Sequence, residues 1–275
     1  MIRIQPANRL QGFDVGELWT YRELIYFLTW RDISVRYKQT AIGVGWVILQ
    51  PAAMMLAFTL FFGRLARIPS EGVPYPLFAY TALLPWQLFS RAITESTQSL
   101  IVDQRLITRV YFPRLIVPIA SVLAATVDFV IAAGFLLVLL AAYGVSVTLN
   151  LIWLPAFLLL MLVTALGIGF WLSALNVEYR DVMYTIPFLN QFLLFVTPVV
   201  YPSALVPARW RVWYGLNPMV GVVEGFRWAI LGVGQRPGPM LFVSALVGVV
   251  LFASGLIWFR SRERTFVDAI GSGDR

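Results

Sequence analysis

The sequence predicts an all-α integral membrane protein with six transmembrane helices, an N-terminal interfacial helix and a re-entrant helical hairpin before the last span. Three observations carry that expectation. The chain of 275 residues is 59% hydrophobic and only 13% charged, whereas soluble domains run at about 45–50% and about 25%, and its mean hydropathy is +0.77. Six apolar runs, 41–62, 73–90, 115–143, 149–175, 182–202 and 239–259, approach or exceed the roughly 20 residues that cross hydrocarbon. The basic residues are unevenly shared between the two ends of those runs. One membrane domain, 41–259, is therefore expected between an N-terminal region, 1–40, and a tail, 260–275.

The first 40 residues are charged and aromatic and lack the apolar core and small-residue cleavage site of a signal peptide, so the N-terminus is expected to stay in the cytoplasm. Within them, 17–38 has helical periodicity. Trp19, Tyr26, Trp30, Ile33 and Tyr37 form one stripe and Tyr21, Leu24, Leu28 and Val35 a second, with charged side chains between. That pattern belongs to a helix lying on the membrane, apolar side chains in lipid and charges at headgroups or a partner.

Six spans return the chain to the side where it began. If that side is cytoplasmic, 15 of the 21 Arg and Lys lie inside and 6 outside, which the positive-inside rule favours. The segment 203–238 runs against the trend, with Arg209, Arg211, Arg227 and Arg236 outside. Within it, 206–232 is two short amphipathic stretches broken at Asn217-Pro218, a turn signal. It reads as a re-entrant hairpin at the outer face, or as an aromatic loop lying at the headgroups. Glu224 and Arg227, three apart on its second arm, share a face and pair. Asp128 is the one carboxylate well inside a span, costing about 2.5–3.5 kcal/mol there, so it needs a partner. It is a hydrogen-bonded carboxyl joining helices, or a proton relay or substrate contact.

Absences exclude whole classes of chemistry. Without Cys or His the chain builds no thiolate nucleophile, imidazole base or zinc site of the usual kind. Lys38 is the only lysine and follows no glycine loop, so the chain lacks a phosphate-binding loop of its own. The net charge of +7 and pI near 10.0 fit membrane topology rather than nucleic-acid binding.

From Arg31 the sequence Arg-Asp-Ile-Ser-Val-Arg-Tyr-Lys-Gln-Thr, then Ile42-Gly43-Val44-Gly45-Trp46 and Gln50-Pro51, resembles the approach to the first span in type-2 ABC exporter permeases that move polysaccharides. Phe112-Pro113-Arg114 with Pro118, Asn176-Val177-Glu178-Tyr179-Arg180-Asp181, and Asn217-Pro218 through Glu224 and Arg227 resemble the same family, so the likeness covers nearly the whole chain. The resemblance implies a permease of the bacterial plasma membrane, both termini cytoplasmic, working as a homodimer with two separate ATP-binding subunits. The permease then needs no cofactor, ATP and Mg being bound by the ATPase, and is a transport subunit rather than an enzyme. Its implied cargo is a lipid-linked glycan of the O-antigen, teichoic acid or cell-wall galactan type.

Site residues follow from that picture. The loop 96–114, with Asp103, Arg105, Arg109 and Arg114, is the expected coupling helix for the ATPase, ended by Pro113, and Glu178 and Arg180 in 176–182 form a second contact. Both are equally readable as charged loops that set topology. Arg31, Arg36 and Lys38 sit where a glycan's lipid diphosphate would enter, Arg offering a planar fork and Lys a mobile point charge; anchoring to anionic lipid explains the same charges. Tyr37, Trp46, Phe58, Trp86, Tyr184 and Phe188 are candidate channel aromatics, and Asn217, Pro218, Glu224 and Arg227 mark the outer hairpin. Two rivals remain: an ABC exporter of a small drug or lipid, and a membrane-embedded polyprenyl-sugar transferase, which would want paired carboxylates such as Glu178 and Asp181.

Overall fold

The computed structural model describes residues 15–38, 43–146, 148–234, 236–263 and 266. The N-terminal region before Val15, positions 39–42 with the motif residues Gln39, Thr40 and Ile42, and the tail after Glu263 apart from Phe266 lie outside the described residues. Every regular element described is helical: α1 Val15–Thr20, α2 Arg22–Lys38, α3 Gly45–Phe58, α4 Tyr75–Val102, α5 Gln104–Arg109, α6 Ile116–Ala142, α7 Leu154–Glu178, α8 Val182–Val196, α9 Ala208–Tyr214, α10 Pro218–Leu231 and α11 Pro239–Arg262. A π-helical continuation, Thr59–Leu65, extends α3.

Four of these segments are long and apolar enough to cross a membrane: Gly45–Leu65, Ile116–Ala142, Leu149–Glu178 and Pro239–Arg262. The other two expected spans differ from the plain apolar rod. α4 has 28 residues, about 42 Å at 1.5 Å per residue, and runs past position 90 to Val102. Most of its residues from Tyr75 to Leu100 are buried, and it packs against α3, α6, α7, α8 and α10. A central helix shielded from lipid on most sides tolerates the polar residues that lower its hydropathy. α8 is apolar but has only 15 residues. It stops at Val196 because Pro198 pushes Thr197 into extended backbone, ψ 142°, and the chain from there to 202 leaves the helix.

The same extension of α4 changes the expected coupling helix. Residues 96–102 are its last two turns, and only Gln104–Arg109 forms a separate short helix. α5 ends where Val110 turns extended, φ −127°, ψ 135°, three residues before Pro113. At 206–232 two helices meet at the expected break. Asn217 caps α10, its Oδ1 accepting from the Met219 amide at 3.0 Å, with Pro218 at the first helical position. Gly232, at φ 70°, closes the far end in the left-handed conformation.

α7 and α11 pack closely over their length. Between lipid-facing helices there is little hydrophobic driving force, so small residues let backbones approach. A Cβ on Gly255 would fall on the Gly167 carbonyl oxygen, and one on Gly167 would lie 2.5 Å from the Phe252 nitrogen. Neither neighbour is a side chain that could rotate away. Leucine in place of Gly255 is expected to cost about 1–3 kcal/mol by overpacking and to lower the thermal midpoint of the detergent-purified chain. Gly134→Ala, where an added Cβ meets nothing within 4 Å, is the control and should not lower it.

Candidate translocation site

α2 lies against α6 and the end of α4 rather than free on a surface. Leu28 is fully buried in a cluster with Leu100, Ile107, Phe112, Phe170 and Phe259, while Trp19, Tyr26 and Trp30 on the other stripe remain exposed. This docking brings the charged residues of α2 onto carboxylates remote in sequence. Arg31 grips Asp103 with both terminal nitrogens, at 2.7 and 2.8 Å, and also Asp32. Its pKa is raised by the Asp103 hydrogen bond, against the opposing effect of burial.

One turn further on, Arg36 forks between two helices. Nη1 lies 2.5 Å from Asp128 Oδ2 on α6, and Nη2 lies 2.6 and 2.7 Å from the two oxygens of Glu95 on α4. Burial works against the Arg36 charge, and Glu95 and Asp128 outweigh it, leaving its pKa raised. Asp128 also accepts from Arg91 Nη1 and from the Tyr37 hydroxyl. The Tyr37 phenol is pushed up to about 12, by burial first and then by Asp128. Two guanidiniums and two carboxylates thus neutralise each other at the junction of α2, α4 and α6. Asp128 has the partners its depth demands; Arg91 and Glu95, which provide or share them, were not singled out from the sequence. Their signal is the polar series Gln87, Arg91 and Glu95 at four-residue steps along α4.

This cluster forms one end of a cavity of about 550 Å³ between α3, α4, α6 and α8. Phe58, Trp86, Phe129 and Phe195 supply aromatic wall, and Gln50, Gln87, Asn190 and Gln191 supply amides. Of the candidate channel aromatics, Phe58 and Trp86 therefore line it. Tyr37 sits behind it on Asp128, and Trp46, Tyr184 and Phe188 are outside its lining, 52%, 73% and 70% exposed on α3 and α8. Phe188 stacks on Phe192 at 6.5 Å.

The remaining candidates divide by what already holds them. Arg105, Arg109 and Arg180 are exposed. Asp103 is committed to Arg31, and Glu178 accepts from Arg262 at 2.7 Å. The Arg114 amide donates to Glu263 at 2.9 Å. Lys38 is exposed and forms no ion pair among the described residues. Within α10, Arg227 and Glu224 pair at 3.2 Å with both side chains buried. Arg227 Nη2 also donates to the Val199 carbonyl at 2.8 Å, and its guanidinium lies 3.5 Å over the Phe78 ring. Asn217 Nδ2 reaches Thr197 Oγ1 at 2.9 Å, tying the α9–α10 break to the end of α8.

The sequence matches the family model described as ABC-2 type transporter over residues 23–231. The O-antigen export system permease protein RfbA of Myxococcus xanthus is 31% identical over 262 residues, spanning 93% of this chain and 98% of that protein. RfbA of Klebsiella pneumoniae is 24% identical, over 94% of this chain and 98% of its own. The polysialic acid transport protein KpsM of Escherichia coli is likewise 24% identical, over 93% and 98%.

Removing Asp128 would leave Arg36 and Arg91 facing each other with one carboxylate between them. Asp128→Asn should therefore destabilise the purified chain by about 3 kcal/mol, the lower end for a broken buried pair. Adding Arg91→Gln should recover part of that loss. A double-mutant cycle on thermal unfolding measures both.

Proposed function

Because the chain belongs to the ABC-2 type transporter family, we propose that it is the permease subunit of an ATP-driven exporter that moves a lipid-linked polysaccharide out of the cytoplasm. The observation that carries this reading is the cavity between α3, α4, α6 and α8, which joins aromatic faces to hydrogen-bonding amides. Sugar rings present apolar C–H faces and hydroxyl edges, and such a wall meets both. The relatives whose names specify O-antigen export or polysialic acid transport are matched over almost their full length, which supports a glycan over a small drug or lipid.

The finer architecture proposed is six spans, with α4 and α8 added to the four strongly apolar segments. Both termini then face the cytoplasm, and α9–α10 dips into the outer face as a re-entrant hairpin, pinned by Glu224 and Arg227. Two copies assemble around the exposed aromatic face of α3 and α8, together with two ATP-binding subunits that hold the ATP and Mg. Teichoic acid and cell-wall galactan remain within the cargo class. The lipid diphosphate is received at the α2 end of the fold. Lys38 is an exposed cation there, and Arg31 and Arg36 reach phosphate only by giving up Asp103, Glu95 or Asp128 for it. Arg forks suit carboxylate and phosphate equally, so the arginine keeps its hydrogen bonds in the exchange, at the cost of the carboxylate it releases.

Energy enters through the exposed basic residues after α4. Arg105 and Arg109, with Arg180 beside them in role, meet the ATPase, while the Arg31–Asp103 bridge ties that contact to α2. Depleting the chain in its host should cause lipid-linked glycan to accumulate on the cytoplasmic side of the membrane, seen by glycolipid extraction with and without access of an external glycosidase; unchanged surface glycan refutes the reading. Reversing Arg105 and Arg109 to Glu should reduce co-purification of the ATPase subunit at least ten-fold without lowering the amount of permease in the membrane.

A further inference from the structure

We propose that the cavity between α3, α4, α6 and α8 selects an uncharged glycan, an inference that rests on the polysaccharide-export reading and narrows its cargo. α3 and α8 carry no charged residue along their 14 and 15 positions. The cation on the wall, Arg91, and the one behind it, Arg36, are closed on Asp128 and Glu95. Four charges of opposite sign cancel, so the wall offers an anionic polymer no free counter-charge. A glycan with a carboxylate on every sugar would be desolvated there beside two carboxylates of the protein, and unpaired charges taken out of water are heavily penalised.

One hydrogen-bonding atom beside this wall lacks a donor. Asn190 Nδ2 donates to the Ser90 carbonyl at 3.3 Å and to Thr94 Oγ1 at 3.1 Å. A carbonyl only accepts, so this fixes which end of the amide is which. The other end, Asn190 Oδ1, is buried without a partner. A buried acceptor left bare is a cost, and a hydroxyl donor relieves it once the Asn190 side chain turns that oxygen toward the cavity. Neutral sugars supply hydroxyls at almost every ring carbon; a carboxylate or a phosphodiester takes the place of such a donor with a group that only accepts. Gln50, Gln87 and Gln191 both donate and accept, and Trp86 gives the apolar ring face.

The test is complementation of two strains lacking their own permease, one displaying a neutral O-polysaccharide and the other a polysialic acid capsule. Each receives the full chain with the ATPase that co-purifies with it. Surface glycan, per permease in the membrane, should be at least ten-fold higher for the neutral polymer. Gln191→Arg, which adds a free cation to an exposed position of the lining, should move the ratio of the two at least ten-fold toward polysialic acid. Comparable or preferential export of polysialic acid by the native chain overturns the proposal. So does a Gln191→Arg ratio that does not move although the variant reaches the membrane. Export of neither glycan, with the ATPase bound, overturns the export reading itself and this inference with it.

Discussion

Charge inside a membrane protein has to be cancelled where it stands, and the Arg36–Asp128–Arg91–Glu95 cluster is where this chain meets that demand. Its members come from three helices: Arg36 from α2, Arg91 and Glu95 from α4, Asp128 from α6. None of the three helices can move away alone without stranding a charge, so the cluster fixes α2 against the bundle more firmly than the burial of Leu28 alone would. It also ends the cavity with a neutral cap. The Arg31–Asp103 bridge, one turn earlier on α2 and two turns later on α4, makes a second fastening. α2 is thereby tied along its length to the helix that leads into α5.

The rest of the surface is organised by what each helix can bury. α4 is enclosed and spends that shelter on Gln87, Arg91 and Glu95. α7 and α11 face lipid on one side and meet through Gly167 and Gly255, where backbone lies against backbone. α10 is enclosed almost completely, and the Arg227 guanidinium within it is spread over Glu224, the Val199 and Tyr201 carbonyls and the Phe78 ring. α3 and α8, by contrast, leave large side chains exposed next to the cavity mouth. Such a face on a membrane chain is covered by lipid or by a second copy.

Much of this was legible in the residues, for physical reasons. The runs that became α6, α7 and α11 are strongly apolar, a pattern lipid exposure enforces. Asn217-Pro218 announced a break between two helices because the turn preference of that pair acts locally. Glu224 and Arg227 were visible as a pair because three residues on a helix is a contact distance. What escaped were contacts set by packing. Asp128 plainly needed a partner, but Arg36 lies 92 positions away and Arg91 37. Arg31 and Arg36 looked like free cations for phosphate because nothing local marks Asp103, Glu95 or Asp128 as their partners. The length of α4 was hidden for a related reason. Polar residues end an apolar run whether or not they end the helix, and enclosure by neighbouring helices is a tertiary fact.

A conduit for a long polymer faces a constraint that a binding protein does not: each sugar must be accommodated and then released, many times over. A wall with free charges would hold an oppositely charged cargo too well and exclude a like-charged one, since conduction requires sites weak enough to leave. Cancelling every charge locally and leaving amides and aromatic faces gives contacts that are individually weak and similar from one ring to the next. Direction then has to come from elsewhere, because a wall of near-equal sites has no preferred sense. On the proposed docking of the ATPase at α5, the ion pairs continue from Asp103 and Arg31 to α2 and the Arg36 fork at the cavity's end. The same ion pairs that make the charges tolerable in the membrane also link that docking site to the cavity.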